Sequence, residues 1–219
     1  MPARWRILVI DELPLVRRGL SDLIESEPDL AVFAQAGTGV AALEALSVHQ
    51  PDLVTLEIVL KGSDGLELLK DIRSRFPNLP VLVISANDES VYAERVFRAG
   101  ARGYVTKHER DETVLVAIRR VLEGGNYVSP KMTVWFVQQY LESHQQKPGS
   151  QLASLSDREL QIFRLLGEHK TRGEIGRMLG VSVKTVESHR AKIKEKLGLH
   201  SGAELNLRAT QWVTVGGDN

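Results

Sequence analysis

The chain has 219 residues, with 28 Lys and Arg balanced by 28 Asp and Glu, and at roughly 100–150 residues per domain this length fits two small domains or one large one. It has no Cys, which excludes a disulfide framework, thiolate zinc sites and Cys catalysis; hydrophobics at 42% and charged residues at 26% exclude wholesale disorder. The zero net charge conceals a split, because residues 1–150 hold 17 basic and 20 acidic side chains and residues 151–219 hold 11 and 8, which points to an anionic partner for the C-terminal part.

No run of about 18 apolar residues is present, so no membrane span is predicted. The apolar stretch Ile7–Ile10 is closed by Asp11 and is too short for a signal peptide, so the cytoplasmic compartment is expected. In chain order, a strand is predicted over 5–10, a helix over 14–25, a strand over 30–36 and a helix over 40–47. Strands over 53–58, 81–84 and 103–106 then alternate with helices over 65–75, 90–99 and 111–123. Each apolar run is short and rich in Val, Ile or Leu, as expected of parallel strands buried on both faces. Five such units in about 125 residues predict an α/β doubly wound five-stranded parallel sheet. A further helix over about 130–143 leads into residues 144–151, a polar stretch with Pro and Gly that reads as an inter-domain linker.

Beyond the linker the pattern is all helical. Ser156 with Glu159, Thr171 with Glu174 and Ser201 with Glu204 have the spacing of capping boxes, each opening an apolar-periodic segment. Ser182 caps a helix over 183–197 without the Glu. Only Gly180, Val181 and Ser182 separate Leu179 from Val183, and Gly180 can take the left-handed conformation that ends a helix. Two helices joined this tightly predict a small all-α helix-turn-helix domain.

In a doubly wound sheet, polar groups converge beyond the carboxyl ends of the strands. There the sequence places Asp11 and Glu12, Glu57, Ser85, and Thr106 with Lys107. Carboxylates at close range repel unless a cation joins them. Lys107 or a divalent metal can supply that cation, and such oxygen ligands suit Mg²⁺. The plainer readings are that strand ends are polar because they are exposed, that Tyr104 is packing, that Lys107 makes an ordinary ion pair, and that His108 is solvated.

Residues 1–125 resemble a response-regulator receiver domain, and the whole chain resembles the two-domain NarL/FixJ family with a LuxR-type helix-turn-helix. The stretch Ile7–Leu20 is similar to that family's opening, and Gly100–Lys107 to its fifth-strand motif. Leu155–Leu160, Glu174–Gly180 and Val183–His189 match its DNA-binding module. The resemblance implies a flavodoxin-like receiver over 1–125, a linker with a helix over 126–152 and a DNA-binding domain over 153–219. It puts Asp11 and Glu12 in place of the acidic pair that holds Mg²⁺, which makes them a weak Mg²⁺ site. Ser85 matches the switch hydroxyl, Tyr104 the switch aromatic, Lys107 the phosphoryl-contacting lysine, and Asp64-Gly65 the acidic-glycine pair after strand three.

The departure falls at position 57, where the family's phosphate-accepting aspartate is replaced by Glu57; Lys61 also replaces a common proline. Glu moves its carboxylate by up to about 1.5 Å, one C–C bond. Phosphoryl transfer depends on in-line placement, and misplacement near 1 Å is very costly. Little or no phosphorylation at Glu57 is expected. Either Glu57 imitates the phosphorylated state in part, with one charge and two oxygens against a phosphate's −1.5 to −2 and three, or the pocket is degraded and the receiver is a scaffold. Residual phosphorylation at or near Glu57 is the third option.

On a helical wheel of residues 183–197, Val186, Ile193 and Leu197 share one face with Val183 at its margin. That face is expected to pack on Leu160, Ile162, Phe163, Leu166, Ile175, Met178 and Leu179. The second helix of a helix-turn-helix lies in the DNA major groove. Lys184, Thr185 and Lys192 are candidates for phosphate contacts. Glu187 can accept from a cytosine amino group, Ser188 can donate or accept, and Ala191 leaves room for a thymine methyl. His189 reaches a phosphate or supports the turn, while Arg190, Lys194 and Lys196 lie toward the flanks. One module offers a modest interface, so a homodimer on paired half-sites of double-stranded DNA is expected. The last helix, about 202–212, offers Leu205, Leu207 and Trp212 as dimer contacts, with Trp212 leaning toward the core. The last four residues, Gly-Gly-Asp-Asn, are expected to fray.

No Ser/His/Asp hydrolase pattern, phosphate-binding Gly loop or metal-ligating His pair is present, so the chain is not expected to be an enzyme, and no cofactor is required. The reading is a sequence-specific transcription regulator with an atypical receiver. A histidine kinase partner is not specified by the residues. The alternative is a protein-interaction module that sequesters a partner, its DNA binding vestigial; salt-dependent specific DNA binding separates the two.

Overall fold

A computed structural model describes residues 4–60, 63–142 and 151–215. Lys61, the greater part of the expected linker (144–150) and the C-terminal 216–219 lie outside the described residues. The chain forms two compact units, Met1–Val137 and Gln138–Asn219.

The first unit is built from β1 (Trp5–Ile10), α1 (Pro14–Glu25), β2 (Leu30–Ala36), α2 (Gly39–Val48), β3 (Leu53–Leu56), β4 (Val59–Leu60), β5 (Ser63–Asp64), α3 (Gly65–Arg75), β6 (Val81–Ser85), α4 (Glu89–Arg98), β7 (Gly103–Thr106) and α5 (Asp111–Leu122), with α6 (Pro130–Glu142) beginning in it. The five long strands form one parallel sheet in the order β2-β1-β3-β6-β7. Ile7, Val9, Leu53, Leu82, Ile84 and Val105 face a cluster completed by Ile24 of α1 and by Val114, Leu115, Ile118 and Val121 of α5. The alternate residues Leu8, Ile10, Val54, Leu56 and Val83 are equally buried. Burial of both alternations requires helices on both faces of the sheet, and this explains the continuous apolar runs.

The structure shortens the third expected strand. β3 ends at Leu56, and Glu57 stands just past it. The reason is local: Glu57 Oε1 accepts the Val59 N–H at 3.0 Å, so a side chain captures the donor that would have continued the ladder. The chain then folds into the short antiparallel β4–β5 pair, which the apolar pattern does not announce. Asp64 caps α3 by accepting the Leu66 N–H at 2.8 Å. Gly65 is required by space, since a Cβ there would lie 2.4 Å from Ile58 Cα and 2.5 Å from the Glu57 carbonyl oxygen.

The second unit contains α7 (Asp157–Gly167), α8 (Arg172–Leu179), α9 (Val183–Leu197) and α10 (Gly202–Val215), preceded by a 3-10 turn at Gln151–Ser154. The capping boxes of Ser156/Glu159 and Thr171/Glu174 are reciprocal. At Ser201 the cap accepts the Glu204 N–H at 3.1 Å, but the Glu204 carboxylate reaches His200 N, one residue upstream of the cap. Gly180 ends α8 at φ 64°, with Val181 N bonded to Gly176 O at 2.9 Å, the pairing that turns the chain sharply into α9. Leu160, Ile162, Phe163, Leu166, Ile175, Val186, Ile193 and Leu197 are buried as expected. Met178 is not: it is 47% exposed, because the two turns of α8 bury one narrow stripe through Ile175. Leu205 and Trp212 are core residues, Trp212 packing its ring 5.7 Å from that of Phe163, so neither is free to serve as a dimer contact. Leu207 is 60% exposed.

Candidate functional site

Asp11 follows β1 and Glu57 follows β3, on either side of the point where the strand order reverses. Ser85 ends β6 and Lys107 follows β7. The structure brings these four together. Lys107 Nζ pairs with Asp11 Oδ2 and lies 2.7 Å from Glu57 Oε2. Ser85 Oγ donates to Glu57 Oε1 at 2.7 Å. Leu13 N donates to Asp11 Oδ1 at 2.9 Å. Asp11, Glu57 and Ser85 are buried, so solvent does little to screen these charges. Burial draws the Lys107 ammonium down, but the Glu57 and Asp11 carboxylates outweigh it and hold its pKa above the ordinary value.

Glu12 is half-buried and joins no hydrogen bond or ion pair with the cluster among the described residues. Of the acidic pair Asp11 and Glu12, only Asp11 faces the cation of the pocket. The cation between Asp11 and Glu57 is the Lys107 ammonium, and no group of three or more His, Asp or Glu suited to a metal occurs among the described residues.

Tyr104 is buried, and its hydroxyl donates to the Asn87 carbonyl at 2.8 Å. Burial raises its phenol well above the ordinary pKa; the Ser85 hydroxyl opposes that rise and the Glu57 charge adds to it. Two participants are not evident in the sequence. Asn87 bonds Ser85 Oγ through its side chain at 2.9 Å, and Arg17 Nη1 holds the Asp11 carbonyl at 2.7 Å. Asn87 stands two residues past Ser85, directly before the helix-capping Asp88.

On α9, Lys184, Ser188, Ala191 and Lys192 are exposed on the side opposite the buried Val186, Ile193 and Leu197. Thr185 is half-buried, its hydroxyl 2.8 Å from that of the cap Ser182. Glu187 Oε1 lies 3.1 Å from Arg172 of α8 and 3.5 Å from Arg190. His189 is half-buried, with Nδ1 buried and unbonded. Lys196, exposed on a flank of the helix, bonds Glu159 Oε2 at 2.6 Å and the Ser154 carbonyl at 3.1 Å, tying α9 to the first capping box. Among the described residues no helix is long and apolar enough to cross a membrane.

Comparison with known proteins agrees with both halves. Residues 7–119 match the response regulator receiver domain family, and residues 153–209 match the bacterial regulatory proteins, luxR family. The chain is 35% identical over 204 residues to the oxygen regulatory protein NreC of Staphylococcus carnosus (strain TM300), covering 91% of this chain and 94% of that one. A two-component response regulator of the LuxR family from Aurantimonas sp. SI85-9A1 is 31% identical with a TM-score of 0.60, over 64% of this chain and 100% of that chain. RcsB from Salmonella enterica serovar Typhimurium, solved bound to promoter rprA in the presence of BeF3-, has the same fold at 21% identity and a TM-score of 0.72, over 94% and 98% of the two chains. A parallel receiver sheet followed by a capped helix-turn-helix, matched over nine-tenths of the length, settles the affiliation: the chain belongs to the NarL/FixJ-type, LuxR-family response regulators, DNA-binding regulators of transcription.

Proposed function

We propose that this regulator carries a receiver whose output does not wait on phosphorylation, because Glu57 supplies a permanent charge where the family accepts phosphate. The observation that carries this reading is the double engagement of one carboxylate: Glu57 meets the Ser85 hydroxyl and the Lys107 ammonium, each at 2.7 Å. A charge that already draws in both groups does part of what a phosphoryl group would do. This favours partial imitation over a degraded scaffold, in which Ser85 and Lys107 would have no common partner. The proposed domain limits are a receiver over 1–125, a linker with a helix over 126–152 and a DNA-binding domain over 153–219.

The protein acts in the cytoplasm as a regulator rather than an enzyme, binding double-stranded promoter DNA as a homodimer on paired half-sites. α9 enters the major groove, as expected of a second helix in this motif. Lys184, Thr185 and Lys192 contact phosphates, Glu187 and Ser188 meet base edges, Ala191 faces a thymine methyl, and His189 lies at the border of the interface. The RcsB structure with a promoter supports placing this fold on DNA. The test is Glu57→Gln, which keeps the shape and removes the charge. Self-association and promoter affinity should both fall, the affinity by about tenfold, or roughly 1.4 kcal/mol. Unchanged values in both would overturn the reading.

A further inference from the structure

Asn87 lies in the turn between β6 and α4, just before the capping residue Asp88. Its Nδ2 donates to Ser85 Oγ at 2.9 Å, and its backbone N–H donates to the same oxygen at 3.2 Å. Its carbonyl accepts the Tyr104 hydroxyl at 2.8 Å. A serine hydroxyl has one hydrogen and two acceptor lone pairs. With Asn87 filling both lone pairs, the one hydrogen is left for Glu57 Oε1, 2.7 Å away. Ser85 is fully buried, so water offers it no alternative partner. The orientation of the amide follows from the same count, since an acceptor facing Ser85 Oγ would compete with Glu57 for that hydrogen.

We propose that Asn87 is a positioning residue: it fixes the Ser85 hydroxyl as a donor to Glu57 and ties that bond to the pose of Tyr104. The proposal rests on the reading of Glu57 as the pocket's permanent charge and says how that charge leaves the pocket. The path continues through the backbone. Tyr104 N donates to Tyr127 O at 3.2 Å and Tyr127 N to Arg102 O at 2.9 Å, so the segment after α5 lies along β7. The backbone of Tyr104 is thus hydrogen-bonded to the stretch that leads into α6.

The test uses the full chain labelled with 3-fluorotyrosine at its 4 Tyr, with the Tyr104 fluorine resonance assigned by its loss in Tyr104→Phe. Glu57→Gln is introduced into the native, Asn87→Ala and Asn87→Asp backgrounds, forming two double-mutant cycles. Asn87→Asp keeps the shape and the backbone bonds but replaces the Nδ2 donor with a charged acceptor that competes with Glu57 for the Ser85 hydrogen, whereas Asn87→Ala removes the side-chain bond without adding a charge. The expected result is a clear shift of the Tyr104 resonance with Glu57→Gln in the native background and a shift at least halved in both Asn87 backgrounds. A full shift in either Asn87 background overturns the role of Asn87 alone and points to a direct Ser85–Tyr104 route. No shift even in the native background overturns the proposal together with the charge reading on which it rests.

Discussion

At the sheet edge, the two buried carboxylates Asp11 and Glu57 share the single ammonium of Lys107. Removing one partner of a buried ion pair strands the other charges away from water, a loss of about 3–5 kcal/mol in typical cases. Lys107→Met should therefore lower the unfolding free energy by about 3 kcal/mol in urea titrations. Glu57→Gln, which keeps a hydrogen-bonding side chain in place, should cost less. The pKa of Lys107 is raised in the fold, so its contribution is complete below the ordinary lysine value of 10.5 and is lost as pH rises through the folded value. Thermal stability measured from neutral to strongly alkaline pH should fall there, and Lys107→Met should remove that part of the fall. The acidic and basic members of this pocket were legible from their places at strand ends. Asn87 and Arg17 were not, because their parts are played through bonds to Ser85 Oγ and to a backbone carbonyl, which no residue spacing encodes.

At the scale of elements, the helices of the second unit were the most legible, because the caps fix their starts chemically and the left-handed Gly180 fixes the turn. The β4–β5 pair was hidden, since two-residue strands carry no periodicity. The same short segment makes Gly65 critical. In Gly65→Ala, the added methyl collides with the backbone of Glu57 and Ile58, which must move. The expected outcome is a loss of about 1–3 kcal/mol in stability, accompanied by a change in the Tyr104 environment that Gly19→Ala, which has open space at its Cβ position, does not produce. In the second unit, Glu159 accepts both Ser156 N and Lys196 Nζ. Burial raises its carboxyl pKa, but Lys196 and Ser156 outweigh it and hold the value below 4.5. Its contribution is present above that pH and is lost as pH falls through the folded value. Glu159→Gln should lower the stability of the full chain near neutral pH and flatten the acid limb of its unfolding profile, read by circular dichroism.

For the whole molecule, the balanced charge is a sum of two opposed halves, with the basic excess in the part that carries α9. Phosphate contacts make DNA affinity fall with salt, by about one unit of log–log slope per contact. Lys184→Ala and Lys192→Ala should each reduce that slope by about 1 and weaken binding alike on all sequences, whereas Ser188→Ala should relax preference at one base position. The five-stranded parallel sheet and the helix-turn-helix were both readable from alternating apolar runs, cap spacing and one short turn. What escaped was their fine occupancy: Met178 faces outward although its type suggests the core, and the exposed Lys196 is taken up by Glu159, because packing around α8 and α9 decides these places. The measurement that bears most directly on the permanent-charge receiver is quantitative footprinting on promoter DNA, comparing the native chain with Glu57→Asp, each with and without an acyl phosphate donor. The native chain should protect its site at the same concentration in both conditions, and Glu57→Asp, its carboxylate drawn back from Ser85 and Lys107, should need more protein when no donor is present. A native chain that takes up the phosphoryl group at position 57 and protects the site only afterwards would contradict the account.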